Sequence, residues 1–144
     1  MLCTLILLSP LWGAARPQTL GVGGVIGRPQ GLTIQVPEGR GIALNGSLFY
    51  DFTRPRFDIH LDQIFIQSKT VLEAFHPYVG IGGRLSIHSN RGVQDAGGLT
   101  ARVPIGLELG ESHLRAFIEL TPALEVLPAL GFTLQGAIGI RYHF

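Results

Sequence analysis

The chain has 144 residues, a formal net charge of +1 and a hydrophobic content of 46%. This length suits one domain, the nearly neutral charge argues against nucleic acid as a partner, and no apolar run reaches the roughly 20 residues of a membrane-spanning helix. Cys3 is the only cysteine, which excludes an internal disulfide, and Lys69 is the only lysine, so nearly all basic side chains are arginines.

The N-terminus has the pattern of a secretory leader. Leu2 to Leu8 form a short apolar segment, and the small residues Gly13, Ala14 and Ala15 follow it. An apolar segment before small residues is typical of a signal peptide. The sequence therefore predicts a signal peptide over residues 1–15 and a single β-barrel domain over residues 16–144. The leader lacks basic residues at its start, and a buried N-terminal strand is the alternative.

Eight segments with alternating apolar and polar residues follow the leader, with turn-forming residues between them. Alternation with period two predicts β-strands that have one apolar and one polar face. In chain order the segments are Thr19–Gly27, Gly31–Val36, Gly41–Phe52, Arg56–Gln67, Pro77–His88, Leu99–Gly110, Leu114–Glu125 and Phe132–Phe144. Eight such strands with short connections predict an all-β fold, an eight-stranded antiparallel up-and-down β-barrel.

A few residues depart from this pattern. Phe49 lies among the polar positions of the third segment, and Ile64 and Ile66 break the alternation at the end of the fourth. Pro104 and Pro122 fall inside predicted strands, where proline removes a donor of the hydrogen-bond ladder. A closed barrel has no free edge for them, so we expect bulges or strand ends at both prolines.

The alternation leaves open which face points inward, and three features favour a polar interior. The polar faces carry glycines, including Gly80, Gly82, Gly106 and Gly139, which suit a crowded lumen. Charges on these faces nearly balance, as charges removed from water must. Aromatic residues lie near the ends of the apolar faces, as in membrane barrels. The predicted interior polar network consists of Asp58, Asp62, Arg84, Arg102, Glu108, Arg115, Glu119 and Arg141.

A polar interior and an apolar exterior predict a transmembrane β-barrel in the outer membrane, with lipid as its surroundings. Eight strands enclose a lumen that side chains can just fill, so we expect a plugged barrel rather than an open pore. If the N-terminus lies in the periplasm, the loop Ser89–Gly98 faces outward and is the expected contact surface for an extracellular ligand. The connection Ser68–Phe75 could hold one helical turn.

The last eight residues, Ala137 to Phe144, resemble the C-terminal signal of bacterial outer-membrane proteins. Gly139, Tyr142 and Phe144 match that signal, whereas Ala137 stands where a polar residue is usual. The resemblance implies recognition by the barrel assembly machinery. The segments Y-V-G-I-G-G-R-L, V-P-I-G-L and G-A-I-G-I-R-Y-H-F are also similar to a family of short, mostly uncharacterised barrels akin to OmpA and OmpX. This family has no common catalytic motif.

Two other functions are alternatives for a barrel of this kind. A lipid A-modifying hydrolase would use a pair such as Ser86 and His88, but these share the polar face of Arg84 and would point away from lipid. A soluble lipocalin-like barrel would bind a small apolar ligand inside. The five histidines lack metal-ligand spacing, and the glycine-rich segments lack the lysine of a phosphate loop. We therefore expect no enzyme activity, no cofactor and no metal site.

Overall fold

The strands form one antiparallel sheet that closes on itself. The computed structural model describes residues 19–27, 30–39, 41–53, 55–66, 74–88, 97–110 and 113–144, so the predicted signal peptide lies outside the described residues. The strands are β1 (Gly21–Gly27), β2 (Gln30–Gly39), β3 (Ile42–Asp51), β4 (Arg56–Ile66), β5 (Phe75–His88), β6 (Gly98–Arg102), β7 (Ile105–Leu109), β8 (Leu114–Leu127) and β9 (Gly131–His143). In these described ranges no helix is long and apolar enough to cross a membrane.

The ring has eight positions. β1 pairs with β2 on one side and with β9 on the other, so the first and last strands close the sheet. β6 and β7 both lie between β5 and β8, and they are the two halves of one interrupted strand. The predicted eight-stranded antiparallel up-and-down ring is confirmed. Because the number of positions is even, residues 19–20 and Phe144 lie at one end, called the proximal end; the opposite end is the distal end.

The strands are tilted relative to the barrel axis. A circuit of ladder partners begins at Phe117 on β8 and passes through Gly139, Val25, Gly31, Phe49, Asp58, Ser86 and Gly98. The next residue, Leu99, pairs with Leu127, so the circuit returns to β8 about ten residues further on. With about 3.3 Å per residue and about 4.8 Å between strands, this stagger corresponds to a tilt of about 40°.

The two strand prolines meet at the interruption between β6 and β7. β6 ends at Arg102, so the strand end expected near Pro104 is confirmed. At Pro122 the expectation was wrong, because β8 continues through it and pairs with β9 without a register shift. The Pro122 carbonyl accepts a hydrogen bond from the Val103 N–H at 3.0 Å. The backbone nitrogen and carbonyl of one strand residue point towards the same adjacent strand. The Pro122 nitrogen, which has no hydrogen to donate, therefore faces the interruption between β6 and β7.

Several strand boundaries differ from those predicted. β2 continues to Gly39 instead of ending at Val36, and a register irregularity between Pro37 and Gly39 accommodates the extra residues. Gly39 and Gly41 then turn the chain with φ values of 90° and 77°, a region that favours glycine. β8 extends to Leu127, past the predicted end at Glu125. The possible helical turn after Ser68 falls in residues 67–73, outside the described ranges.

Polar side chains point into the ring and apolar side chains point out of it. On β4, Asp58, His60 and Asp62 are almost fully buried, whereas Ile59 and Leu61 between them are 45% and 57% exposed. β9 repeats this pattern, since Arg141 is 2% exposed and Ile140 beside it is 52% exposed. The burial follows the two-residue period of the sequence, because successive side chains of a strand point to opposite faces.

Candidate functional site

The structure brings the sequence-predicted polar residues together on the inner wall. Seven of them are buried, and Arg115 is half-buried near the proximal end. The buried members are Asp58, Asp62, Arg84, Arg102, Glu108, Glu119 and Arg141. All eight take part in ion pairs, which fall into a central group, a proximal group and two pairs nearer the distal end.

Arg102 is the centre of the first group. Its Nη2 donates to Glu119 Oε1 at 2.8 Å, and its Nε lies 3.2 Å from Asp62 Oδ1. Its Nη1 also contacts Nδ1 of His60. One guanidinium on β6 thereby joins β4 and β8, and it lies between two carboxylates that are themselves out of water. Such buried carboxylates are stable as ions only when they are paired and hydrogen-bonded.

Neutral groups complete the bonding of Glu119. The hydroxyl of Thr121 donates to Glu119 Oε1 at 2.9 Å, and the Tyr78 hydroxyl donates to Glu119 Oε2 at 2.9 Å. Glu119 therefore accepts bonds on both oxygens from three strands. Tyr78 and His60 were not among the predicted network members. The available signal was their position, because each alternates in phase with the inward charged residues of its own strand.

Gly82 makes the contact between Arg102 and Asp62 possible. It lies between them in the ladder, paired with Asp62 on β4 and with Arg102 on β6. A Cβ at Gly82 would overlap the Asp62 carboxylate and the Leu61 carbonyl. With no side chain at Gly82, the arginine can extend across β5 to the carboxylate.

Replacing Gly82 by alanine is therefore expected to lower the free energy of unfolding by about 1–3 kcal/mol, the usual cost of overpacking. Gly136→Ala is the matched control, because Gly136 also lies within a strand but faces outward with nothing within 4 Å of an added Cβ. We expect this control to be neutral or to stabilise by less than about 1 kcal/mol. Denaturant titrations of both variants measure the difference, and equal effects would contradict the crowding at Gly82.

Arg141 holds the proximal group together. Its Nη1 contacts Glu108 Oε1, and Arg115 Nη1 lies 3.4 Å from Glu108 Oε2. The Arg141 guanidinium carbon lies 4.7 Å from the centre of the Phe117 ring, a cation–π distance. Its Nη2 lies 3.4 Å from both Thr33 Oγ1 on β2 and Asn45 Oδ1 on β3. One arginine thus connects β9 with β7, β2 and β3.

Two further ion pairs lie nearer the distal end. Arg84 Nη2 donates to Glu125 Oε1 and to Thr100 Oγ1, at 3.1 Å each. Arg56 Nη2 lies 2.9 Å from Asp58 Oδ2. Glu125 is 38% exposed, so the pair of Arg84 and Glu125 borders solvent at the distal opening of the barrel, unlike the central group.

Two apolar clusters lie on the inner wall together with these groups. Val25, Phe49 and Phe117 form one inner cluster, and Ile64, Ile66 and Tyr78 form another. These clusters explain why Phe49, Ile64 and Ile66 departed from the alternation: they occupy inward positions and pack there. The Phe49 ring also lies 4.4 Å from the His60 ring, so the first cluster reaches the central ion pairs.

The residues of the predicted C-terminal signal lie on both faces of β9. Gly139 faces inward, where a Cβ would overlap the Phe117 ring. Tyr142 and Phe144 face outward with their rings edge to face, 5.2 Å apart, and Tyr142 also stacks on His113 at 5.8 Å. The inward glycine is thus explained by packing in the finished barrel. Recognition of this segment during assembly stays a prediction.

The candidate catalytic pair from the sequence is not assembled. Ser86 is buried on the inner wall, while His88 is exposed at the end of β5. Among the described residues no group of three or more histidine, cysteine, aspartate or glutamate side chains is arranged to hold a metal ion.

Comparison with known proteins identifies a fold. No model of a known protein family matches the chain, and no curated protein matches it. Among solved structures it is similar to the N-terminal β-barrel domain of Pseudomonas aeruginosa OprF, with a TM-score of 0.68 and 17% sequence identity over 88% of this chain and 98% of that domain. The fold is an OmpA-like β-barrel. This supports the predicted architecture and assigns no specific family.

Proposed function

We propose that this protein is an outer-membrane β-barrel whose apolar exterior contacts lipid and whose lumen is plugged by its own side chains. The supporting observation is the inverted distribution of polarity: buried ion pairs inside, and exposed aliphatic side chains on every outward face. A water-soluble barrel would expose this apolar surface to solvent, far beyond the patches that soluble monomers tolerate. In a bilayer the same surface lies in its preferred environment.

The aromatic residues support this orientation. Tyr50, Phe52 and Phe57 cluster at the distal end, with ring centroids 4.7 and 4.8 Å apart. At the proximal end, Tyr142 and Phe144 form the corresponding pair. Aromatic girdles of this kind mark the two membrane interfaces of barrels.

The distance between the two girdles matches a membrane. Phe132 is an outward-facing aromatic near the distal end of β9 and precedes Tyr142 by ten residues, which corresponds to about 33 Å along a strand. At a tilt of about 40° this is about 25 Å of height, equal to the apolar band of outer-membrane barrels.

The location is tested by expression in a Gram-negative host followed by fractionation. We expect the protein in the outer-membrane fraction, with a gel mobility that changes on heating. Recovery in the soluble periplasmic fraction would overturn the membrane assignment and favour the lipocalin-like alternative. The polar inner wall already argues against that alternative, since such a barrel needs an apolar cavity for its ligand.

The plug rests on the contacts across the lumen. Arg102 connects β6 with β4 and β8, Arg141 connects β9 with β7, β2 and β3, and two apolar clusters pack on the same inner wall. We expect no steady large conductance from the purified protein in planar bilayers. Stable open channels of large conductance in most recordings would contradict the plug while leaving the membrane location intact.

A structural or surface-interaction role follows from this proposal, without enzyme activity. The connections at the distal end include residues 89–97, between β5 and β6. Loops on a rigid barrel are where such proteins carry binding. Protease treatment of intact cells tests the sidedness: cleavage within residues 89–97 is expected, and cleavage only after the outer membrane is opened would place this loop in the periplasm.

A further inference from the structure

Gln63 is an exception on the outward face of β4. It lies between Leu61 and Phe65 on that face and is exposed, and its ladder partners are Leu44 on β3 and Ile81 on β5. Among the outward-facing residues of the described strands, it is the only polar one more than two residues from a strand end. It is placed two residues from Phe65 towards the middle of the barrel wall.

The Gln63 carboxamide has an unmet need for hydrogen bonds if the proposed membrane location holds. No hydrogen bond to its side chain is found within the described part of the chain. Acyl tails offer neither donors nor acceptors, so a polar side chain facing them is costly unless a partner supplies the bonds. The aliphatic residues around it cannot supply them.

The outer surface beside Gln63 is formed by small residues. In the ladder row of Leu61, Gly46 lies on one side and Gly83 on the other, and Ala101 follows Gly83. At Gly83 an added Cβ would meet nothing closer than 3.6 Å. Small residues on a membrane-facing surface let another protein backbone approach closely, and amide side chains at such contacts hydrogen-bond across them.

We infer that this face, made of Gln63, Leu61, Gly46 and Gly83, is the contact with a second copy of the chain. A twofold axis along the membrane normal places the two Gln63 side chains against each other. Because a carboxamide carries both a donor and an acceptor, each amide satisfies the other with a reciprocal pair of bonds. A charged partner would bond only to the N–H donor or only to the carbonyl acceptor of the amide, and lipid tails would bond to neither.

Cross-linking in vesicles tests the geometry. In a Cys3→Ser background, Gln63→Cys is compared with Ile138→Cys, which is exposed on β9 at the diametrically opposite position of the ring. With a mild oxidant we expect Gln63→Cys to form disulfide-linked dimers at least about tenfold faster. Equal rates at the two positions would overturn the inferred contact.

Association in vesicles tests the amide itself. By dilution of labelled protein into excess lipid, Gln63→Leu is expected to raise the dimer dissociation constant about 10- to 900-fold, because both bonds of the reciprocal pair are lost and one such bond between proteins in a membrane contributes about 3- to 30-fold. Gln63→Asn, which keeps the carboxamide, should retain most of the affinity. An unchanged constant for Gln63→Leu, or a wild-type protein that is monomeric at every protein-to-lipid ratio, would contradict the inference.

The inference rests on the proposed membrane location, and flotation separates the two failures. Wild-type and Gln63→Leu proteins should both float with vesicles in a density gradient. If neither floats, the membrane proposal fails; if both float and do not associate, only the dimer contact fails.

Discussion

Replacing Arg102 by methionine is expected to lower the free energy of unfolding by about 3–5 kcal/mol, the cost of breaking a buried ion pair by removing one partner. Methionine keeps most of the volume of the side chain but removes its charge. Asp62 and Glu119 would then be buried without their cation, and both lie within 3.2 Å of it now. Urea titration of the protein in lipid vesicles, followed by heat-sensitive gel mobility, measures the loss.

Two matched variants show whether the loss comes from the unpaired charges. Glu125→Gln removes a carboxylate that is 38% exposed and keeps an amide oxygen that can still accept from Arg84, so it should cost no more than about 1 kcal/mol. Adding Asp62→Asn and Glu119→Gln to Arg102→Met removes the two carboxylates that have lost their cation, and it should restore most of the stability. A triple variant as unstable as Arg102→Met would show that lost packing, not charge, is responsible.

The architecture could be predicted because period two is a local property of the sequence. In β9 the alternation of Ile138, Ile140 and Tyr142 with Gly139 and Arg141 assigns each residue to a face without knowledge of any other strand. Eight such segments with short connections then predicted a closed ring. The extent of the strands was less certain, since β2 continues through Pro37 to Gly39 and β8 continues through Pro122.

The pairing of the charges could not be predicted. The two-residue alternation tells which face of the sheet a residue occupies, but not its height along the barrel axis. Arg102 meets Glu119 across one strand boundary and Asp62 across β5, and both contacts depend on the stagger of the sheet. Phe49 and Ile64 appeared as faults in the pattern although they pack inside the lumen. Gln63 was not singled out from the sequence, because its significance lies in the apolar neighbours that β3 and β5 place around it.

Replacing Leu120 by arginine is expected to lower the free energy of unfolding in vesicles by about 2–4 kcal/mol, the cost of a basic residue on the lipid face near the middle of a bilayer. Leu120 faces outward on β8, where it pairs with Ile105 and Gly136. These neighbours offer the guanidinium no acceptor side chain. The charge would therefore have to stay in the acyl layer or distort the bilayer around it.

Leu114→Arg is the control for this prediction, since the two leucines share a strand and a face and are 51% and 57% exposed. Leu114 begins β8 and pairs with Tyr142 of the proximal aromatic pair, so its arginine would lie at the membrane interface and cost no more than about 1 kcal/mol. In water, two leucine positions of equal exposure should tolerate arginine equally well. The difference between the two variants therefore reports the depth of each residue in lipid, and equal effects would mean that the outward face of the barrel is not embedded.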